Sequence, residues 1–259
     1  MTLNWKYYIL PELVKATQYI LFSLLLGFWA YYRTDGFHLW KLSPAEDSLP
    51  IEGSSLATFF TQPYHYLDRG RQSFVFESAD KQYVIKFFDR TYTELPFWAS
   101  LLPPERKERE VAKRRYRAQL YRTGYQIAFD ELRRESGLIA IHFEPTEQLP
   151  PLHIQTKAGR KLQIDLNRTA FVLQKKAVPF TERLAAAKES YCALLDLRIS
   201  RGIGDYEHHI DRNFGWLEEE LIFLDPGRLY RDPTLTTNKR AAQERELFTA
   251  RFEKWRKKQ

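Results

Sequence analysis

A short apolar run in the last quarter of the chain is bracketed by side chains that carry oxygen ligands. The run LIFL (residues 221–224) has Asn213 upstream, and Asp225 follows it directly, at the start of the turn-forming stretch DPG. Amide and carboxylate oxygens are the ligands that Mg²⁺ takes from proteins. If the run forms a strand, Asn213 and Asp225 stand on either side of it and can converge on one metal ion.

A lysine further upstream interrupts another apolar run. Lys86 lies within YVIKFF, and a buried ammonium is unfavourable unless it faces a cleft or an anion. Gly70 and Ser73 belong to a predicted turn between the first two strands, YHYL and SFVFES, where the chain can cover phosphate groups. With metal ligands and a carboxylate base, these are the parts that phosphoryl transfer requires. The helix predicted after the strand offers three carboxylates as partners for the lysine, Glu105, Glu108 and Glu110.

The elements that must position these residues form an α+β pattern, with strands in the first half and helices in the second. Apolar runs predict strands at YHYL, SFVFES, YVIKFF, GLIAIHFEP and RTAFVLQKKA, and a hairpin around Ala158-Gly159. A long basic helix is predicted from Pro104 to about residue 134. TERLAAAKESYCALLDLRISRG predicts a second helix, with Thr181 as its N-cap and Gly202 as its stop.

This ordered set resembles the protein-kinase-like superfamily over roughly residues 64–228. YVIKFF is similar to the superfamily's strand-three lysine motif, DYEHHIDRNFG to its catalytic loop, and LDPG to its Asp-Phe-Gly motif. FVLQKKA occupies the place of the hinge that binds adenine. NFGWLEEELIFLDPGR is also similar to small bacterial lipopolysaccharide-core kinases and, more weakly, to kinase-like proteins of the Chlamydiae. The resemblance implies ATP and Mg²⁺ as cofactors, with nucleotide-binding residues Gly70, Ser73, Lys86, Glu108 and Gln174 and metal ligands Asn213 and Asp225.

The catalytic loop departs from the superfamily's pattern. The catalytic Asp usually lies five residues before its Asn, and that slot here holds His208. Either the loop is longer and Asp205 serves as the general base, or the base is missing and the chain is a pseudokinase. Asp211 lies too close to Asn213 to take that position. His208 is a second candidate for the base, because histidine titrates near neutral pH.

Each of these residues also has a simpler interpretation when it is taken alone. Lys86 at a strand edge can extend its ammonium to water. Asp225-Pro-Gly can be an ordinary turn. The basic stretches ERKEREVAKRRYRAQLYRTGYQ and FEKWRKKQ, within a net charge of +7, also fit a module that binds nucleic acid or an anionic membrane. The ordered set as a whole favours the phosphotransferase, for which nucleic acid is not an expected partner.

An apolar segment near the N-terminus raises the question of a membrane. ATQYILFSLLLGFWAYY (residues 16–32) carries no charge, and as a helix it would be about 25 Å long, slightly short of a bilayer core. Aromatic residues crowd one end, as they do at membrane interfaces. The alternative is a buried helix of a soluble fold. The flanking charges do not set an orientation, because basic residues lie on both sides, Lys6, Lys15, Arg33 and Lys41.

The composition excludes several classes of protein. The single cysteine, Cys192, excludes an intrachain disulfide and lies in an apolar stretch, which is typical of a small core residue. No CxxC or HExxH spacing indicates zinc. Only 31 residues follow Arg228. A protein kinase usually has a longer segment there to seat a peptide, so we expect a small or lipid-linked acceptor.

The sequence therefore predicts a two-lobed protein-kinase-like fold with a truncated C-terminal lobe, preceded by a hydrophobic helix. The predicted divisions are an N-terminal helix (residues 1–35), a linker (36–60), a β-rich N-lobe with the long basic helix (61–178) and a short helical C-lobe (179–259). The expected partners are a nucleotide, the acceptor and a membrane surface. The sequence is also compatible with a protein partner. We expect a membrane-associated protein whose catalytic domain lies in the cytoplasm.

Overall fold

The computed structural model describes residues 6–45, 51–52, 54–206 and 210–257. The helices in these ranges are α1 (Lys6–Thr34), α2 (Arg90–Thr93), α3 (Pro104–Glu131), α4 (Arg133–Ser136), α5 (Leu184–Ser200), α6 (Ile210–Asn213) and α7 (Asn238–Arg256). The strands are β1 (Ile51–Glu52), β2 (Tyr64–Arg69), β3 (Ser73–Ser78), β4 (Tyr83–Phe88), β5 (Leu138–His142), β6 (Thr146–Glu147), β7 (Leu152–Gln155), β8 (Lys161–Ile164), β9 (Phe171–Lys175), β10 (Val178–Pro179), β11 (Ile203–Asp205), β12 (Phe214–Leu217), β13 (Glu220–Phe223) and β14 (Leu229–Arg231).

A mixed sheet with the strand order β5-β9-β4-β3-β2-β7-β8 organises the first half of the chain. Its pairs are antiparallel apart from β2 and β7, which run parallel. The predicted strands and the predicted hairpin are present, and Gly159 turns this β7–β8 hairpin with φ +81°. The prediction of an α+β chain with an apolar N-terminal helix is confirmed.

One face of this sheet packs an aromatic core. Phe74 and Phe76 on β3 and Phe87 on β4 are fully buried there, and Phe37 meets both β3 rings edge-on, with ring centroids 5.1 and 5.3 Å apart. Phe37, Leu42 and Phe60 are buried in this core although they belong to the predicted linker 36–60. The described part of that segment therefore packs on the sheet, because removing its apolar side chains from water lowers the free energy of the folded state.

A second core joins α3, α5 and α7 to the hairpin of β12 and β13. Trp216 on β12 is buried at its centre, where its indole N–H donates to the Phe180 carbonyl at 3.1 Å. The predicted N-cap of α5 was wrong: a 3-10 turn over Phe180–Arg183 precedes the helix, and Arg183 takes the cap position instead of Thr181. The predicted stop is present, since Gly202 follows α5 with φ +66°.

Helix α1 projects from the sheet with an apolar surface. Its segment Leu13–Thr34 is long and apolar enough to cross a bilayer, and none of it is buried against the rest of the chain. At its end, Arg69 of β2 donates to the Tyr31 hydroxyl at 2.7 Å and to the Asp35 carbonyl at 2.6 Å, while Lys157 pairs with the Asp35 carboxylate at 2.9 Å. The C-terminal end of the helix is therefore fastened to the sheet.

Candidate functional site

Lys86 faces away from the aromatic core of the sheet. Because side chains alternate along a strand, Ile85 and Phe87 enter that core and Lys86 points to the opposite face. Its ammonium donates to the backbone carbonyl of Leu224, directly before Asp225. Burial lowers the pKa of Lys86, and the nearby Asp225 carboxylate opposes that shift. The sheet thus presents a buried lysine to the end of β13.

Gln174 of β9 projects from the same face and contacts the same strand. Its amide Nε2 donates to the Phe223 carbonyl at 3.0 Å and to the Ser136 carbonyl at 2.5 Å. Lys86 and Gln174 therefore hold two consecutive carbonyls, those of Phe223 and Leu224. The Gln174 side chain is fully buried, and its Oε1 has no hydrogen-bond partner among the described residues. The nucleotide-binding role of Gln174 stays a prediction, because the hinge is expected to bind adenine through backbone groups.

Asn213 and Asp225 lie at the same end of the β12–β13 hairpin. The sequence predicted one strand between them, but β12 pairs back on β13 in antiparallel register, with Phe214 opposite Phe223. The Leu224 N–H donates to the Asn213 carbonyl at 2.7 Å, which closes the open end of the hairpin. Asn213 and Asp225 are one amide and one carboxylate, the side-chain types that would suit the preference of Mg²⁺ for oxygen ligands.

Helix α3 supplies the residues that face the turn after Asp225. The Tyr125 hydroxyl donates to Asp225 Oδ1 at 3.1 Å, and burial, with Asp225 beside it, raises the pKa of Tyr125. The Tyr121 hydroxyl accepts from Arg228 Nε at 3.0 Å. Gly124 lies between them, and a Cβ there would come within 2.6 Å of the Gly227 and Pro226 backbone. The helix and the turn are therefore in direct contact.

The acids predicted as partners of Lys86 lie elsewhere on α3. Glu108 is exposed, about 25 Å along the helix from Tyr125 at 1.5 Å per residue. The carboxylate that acts on Lys86 is Asp225. The expectation that Glu108 would pair with Lys86 is therefore not met, because the half of α3 that reaches the site carries tyrosines.

The turn of Gly70 and Ser73 is present between β2 and β3. The Gly70 N–H donates to the Ser73 carbonyl at 2.9 Å. Within this turn, Gln72 donates through its side chain to the Tyr121 hydroxyl, and its carbonyl accepts from the Asp89 N–H at 2.7 Å. The turn thus reaches the same tyrosine that Arg228 binds, and it lies over the α3 side of the site.

Asp205 stands at the end of β11, where it pairs in register with Leu229 of β14. It is buried, and the pKa of Tyr191 on α5 is raised by burial and further by the Asp205 carboxylate. This places the carboxyl near the helical core. His208 lies outside the described residues, and so does the side chain of Asp211. The geometry of the base position therefore rests on Asp205 alone.

Two sizeable cavities lie beside α3. One of about 820 Å³ is lined by Gln72, Asp89, Tyr121 and Arg168, among others. One of about 880 Å³ has Arg122 and Tyr230 among its lining residues. Neither is lined by Lys86, Asn213 or Asp225. Lys86, Asn213 and Asp225 lie together at the end of the β12–β13 hairpin, where Lys86 contacts the Leu224 carbonyl and Tyr125 contacts Asp225.

Sequence reasoning missed the two tyrosines of α3. Tyr121 and Tyr125 are four residues apart, so they share one face of the helix. That face is apolar at its C-terminal half, with Ile127 and Ala128 also buried. An i, i+4 pair of aromatic residues in an otherwise basic helix was the available signal, but it indicates burial and not the partner that the residues contact.

Comparisons with known proteins give a limited likeness. No family model and no curated protein matches the chain. Among solved structures, a crystal structure of WbdD aligns at 17% identity with a TM-score of 0.37, covering 74% of this chain and 38% of that one. A structure described as the bifunctional kinase-methyltransferase WbdD aligns at 15% identity and a TM-score of 0.35, covering 81% and 39%. A third, of WbdD with a kinase inhibitor, has 17% identity, a TM-score of 0.32 and coverage of 65% and 34%.

The chain thus aligns with well under half the length of these WbdD structures. Similarity at such TM-scores carries no argument about the site. The assignment of a function rests on the residues gathered around Lys86 and Asp225.

Proposed function

We propose that this chain is a kinase-like phosphotransferase that uses ATP and Mg²⁺ and acts on a small or lipid-linked acceptor at a membrane. The observation that supports this most is the contact of Lys86 with the end of β13, beside Asp225. A buried lysine next to a carboxylate on a turn is the pairing that phosphoryl transfer uses to hold phosphate and metal. A two-lobed arrangement, with the sheet and α3 above the β12–β13 hairpin, belongs to the same proposal.

Each residue has a role in this proposal. Lys86 neutralises phosphate oxygens, and Asn213 and Asp225 are the protein's ligands to the metal. The turn of Gly70 and Ser73 covers the phosphates, in line with its contact to Tyr121 through Gln72. ATP supplies the phosphoryl group, and Mg²⁺ neutralises charge on it. Asp205 takes the proton of the acceptor hydroxyl as general base.

Nucleotide binding at this site requires one local rearrangement. The Lys86 ammonium donates to the Leu224 carbonyl, and Tyr125 occupies one oxygen of Asp225. Phosphate and metal would replace these two contacts with stronger, charge-assisted ones. The cluster is thus a closed form of the site.

A pseudokinase is the second candidate, and the position of Asp205 favours it. That carboxyl lies in a strand and near Tyr191, whereas a base must reach the acceptor. In this alternative the same fold binds nucleotide or a protein partner without turnover. The two candidates share the nucleotide site and differ only at the base.

The direct test of both candidates is a thermal-shift measurement with ATP, with and without Mg²⁺. At 100 times its dissociation constant, ATP should stabilise the protein by about 2.7 kcal/mol. Asp225→Ala should remove the part of this shift that depends on Mg²⁺. A well-folded protein that does not respond to millimolar ATP would exclude both the enzyme and a nucleotide-binding pseudokinase.

We also propose that α1 anchors the protein in a membrane, with the remaining domain in the cytoplasm. The support is an apolar helix whose segment Leu13–Thr34 is long enough to span a bilayer and has no buried residue in the structure. Two charges at its centre, Leu24→Arg with Leu25→Arg, should prevent insertion, because each costs about 2.5–3.5 kcal/mol there. The wild type should resist a carbonate wash and the double variant should not. Retention of the double variant in the washed membranes would contradict the anchor.

A further inference from the structure

A short 3-10 helix between α2 and α3 exposes large apolar side chains to solvent. We call this helix, Phe97–Leu101, the aromatic segment. Phe97 is 92% exposed, Leu101 is 85% exposed and Trp98 is 50% exposed, whereas Ala99 is buried and fixes the segment to the domain. Three large apolar side chains on one five-residue segment form a local patch, and such patches on a soluble surface mark interaction sites.

Basic side chains follow the aromatic segment directly. Between Pro104 and Arg117 the chain has seven Lys and Arg residues and three Glu residues, which leaves a net charge of +4. We call the exposed members of this set the basic face, and they are Arg106, Lys107, Arg109, Lys113 and Arg115. An apolar tip flanked by cations is the pattern of a surface that enters the interface of an anionic bilayer.

Hydrogen bonds tie the aromatic segment to the exit of α1. Arg114 of α3 donates to the Thr91 carbonyl at 2.9 Å and to the Glu94 carbonyl at 2.6 Å, just before the segment. Arg90 of α2 donates to the carbonyl of Trp40 at 3.3 Å. Trp40 is 61% exposed and follows the end of α1 by six residues. The chain that leads into the aromatic segment, from Arg90 to Glu94, is therefore bonded both to α3 and to Trp40, which follows the apolar helix.

We propose that the aromatic segment and the basic face bind the surface of an anionic phospholipid bilayer, as a second membrane contact besides α1. Phe97, Trp98 and Leu101 enter the headgroup region, and the basic face pairs with lipid phosphates. The contact fixes the orientation of the domain on the membrane, which a single helix cannot do. It draws on α1 only for proximity to the bilayer, and it is independent of phosphoryl transfer.

Charge and continuity favour a bilayer over a protein partner. A second copy of this chain would bring a second cationic face against the first, and like charges oppose that contact. An anionic lipid surface instead attracts each Lys or Arg that comes within a Debye length. The aromatic residues are those enriched at membrane interfaces. The neighbouring α1 would also hold the segment at the bilayer.

The test uses the full chain in vesicles, with a fluorophore on one cysteine. In a Cys192→Ala background, Phe97→Cys carries a label that reports the polarity around it. Lys239→Cys, at an exposed position on α7, is the matched control. The vesicles contain phosphatidylcholine with or without phosphatidylglycerol, and a lipid-borne nitroxide quenches labels that enter the bilayer. Leu101→Cys gives a second labelled site should Phe97→Cys fold poorly.

We expect the label at position 97 to shift to the blue and to be quenched several-fold more strongly than the label at 239. Quenching should increase with phosphatidylglycerol and decrease in high salt, while α1 keeps the chain in the vesicles. The variant Arg106→Glu with Lys107→Glu and Arg109→Glu should lose the dependence on anionic lipid.

Two results would overturn the inference. A label at 97 that stays in water in both kinds of vesicle shows that the segment does not contact lipid. A blue shift without quenching by the nitroxide shows that protein covers the segment. Neither result bears on ATP binding, which the thermal shift measures separately.

Discussion

The metal side and the base side of the candidate site differ in how their residues are held. On the metal side, Lys86, Asn213 and Asp225 come from three separate segments, and each is tied to the end of the β12–β13 hairpin. On the base side, Asp205 ends a strand and lies near the helical core. The side proposed to bind nucleotide is thus assembled by several elements, whereas the side proposed to face the acceptor depends on one strand end.

This difference separates the two functions that a kinase-like site can have. Nucleotide binding needs the lysine and the metal ligands, and turnover also needs a base within reach of the acceptor. A chain can lose the second property and keep the first. The following four predictions test the two sides separately.

The largest effect is expected on the base side. Asp205→Asn should reduce turnover by about 10²–10⁴-fold, or roughly 3–5 kcal/mol of barrier, because a general base is lost. The ATP-induced thermal shift should remain, since the base does not hold the phosphates. ATP hydrolysis and acceptor phosphorylation measure the first effect.

Asp211→Asn is the control that should keep most of the activity. If Asp211→Asn proves to be the inactive variant, Asp205 is not the base; a wild type that binds Mg·ATP without turnover is a pseudokinase.

On the metal side, Lys86→Met should remove most of the stabilisation by ATP, about 2.7 kcal/mol at 100 times the dissociation constant. The reason is that Lys86 places its ammonium on the Leu224 carbonyl, next to the Asp225 carboxylate. Lys161→Met, at the exposed start of β8 on the far edge of the sheet, is the matched control and should respond to ATP like the wild type. An unchanged ATP response in Lys86→Met would show that nucleotide binds elsewhere.

A smaller effect is expected where α3 touches the turn of the metal side. Gly124→Ala should destabilise the protein by about 1–3 kcal/mol, because its Cβ would meet backbone atoms of Pro226 and Gly227 at 2.6 Å. This outweighs the gain of about 1 kcal/mol that alanine normally brings to a helix. Urea unfolding measures the difference. Gly70→Ala is the contrasting variant, since its closest contact is 3.4 Å and its stability should change little. A stabilised Gly124→Ala variant would contradict the close approach of helix and turn.

The smallest effect concerns the hydroxyl that α3 donates to Asp225. Tyr125→Phe should lower the free energy of unfolding by about 0.5–1.5 kcal/mol, the usual loss for one hydrogen bond. Tyr116→Phe, on the exposed side of the same helix, should have no effect. Equal stabilities of the two variants would mean that the Tyr125 hydroxyl does not hold Asp225.

Local patterns in the sequence were enough to predict the strands around Lys86, one hairpin turn and the end of α5. The strands around Lys86 are apolar runs bounded by polar residues, and the glycines at 159 and 202 mark a turn and a helix end with positive φ. Strand β12 was missed because its hairpin turn contains Glu218 at φ +56°, and glutamate gives no signal for a left-handed turn. The start of α5 was misplaced because a 3-10 turn uses the residues that resemble a cap.

Long-range contacts account for what the sequence did not predict at the site. Tyr125 and Asp225 are 100 residues apart in the chain, and neither residue type indicates the other as its partner. Gln174 has the position of a hinge residue, but its side chain turns inward to two carbonyls. Packing of the whole domain decides which face of α3 meets the turn. Tyrosines lie at that contact, and the acids predicted for it lie elsewhere on the helix.

The contact between Gly124 and Gly227 has a mechanical consequence. Because no side chain separates them, a tilt of helix α3 toward the turn that carries Asp225 would press backbone against backbone and displace the turn. The opposite end of α3 bears the basic face. Along the helix axis, Arg109 of this face lies about 22 Å from Gly124. We therefore expect vesicles with anionic lipid to change the ATP-induced thermal shift of the wild type, and an unchanged shift would show that the helix does not transmit its tilt. If the basic face binds lipid and Asp225 binds the metal, as proposed, the lipid composition of the membrane would change the position of the Asp225 carboxylate.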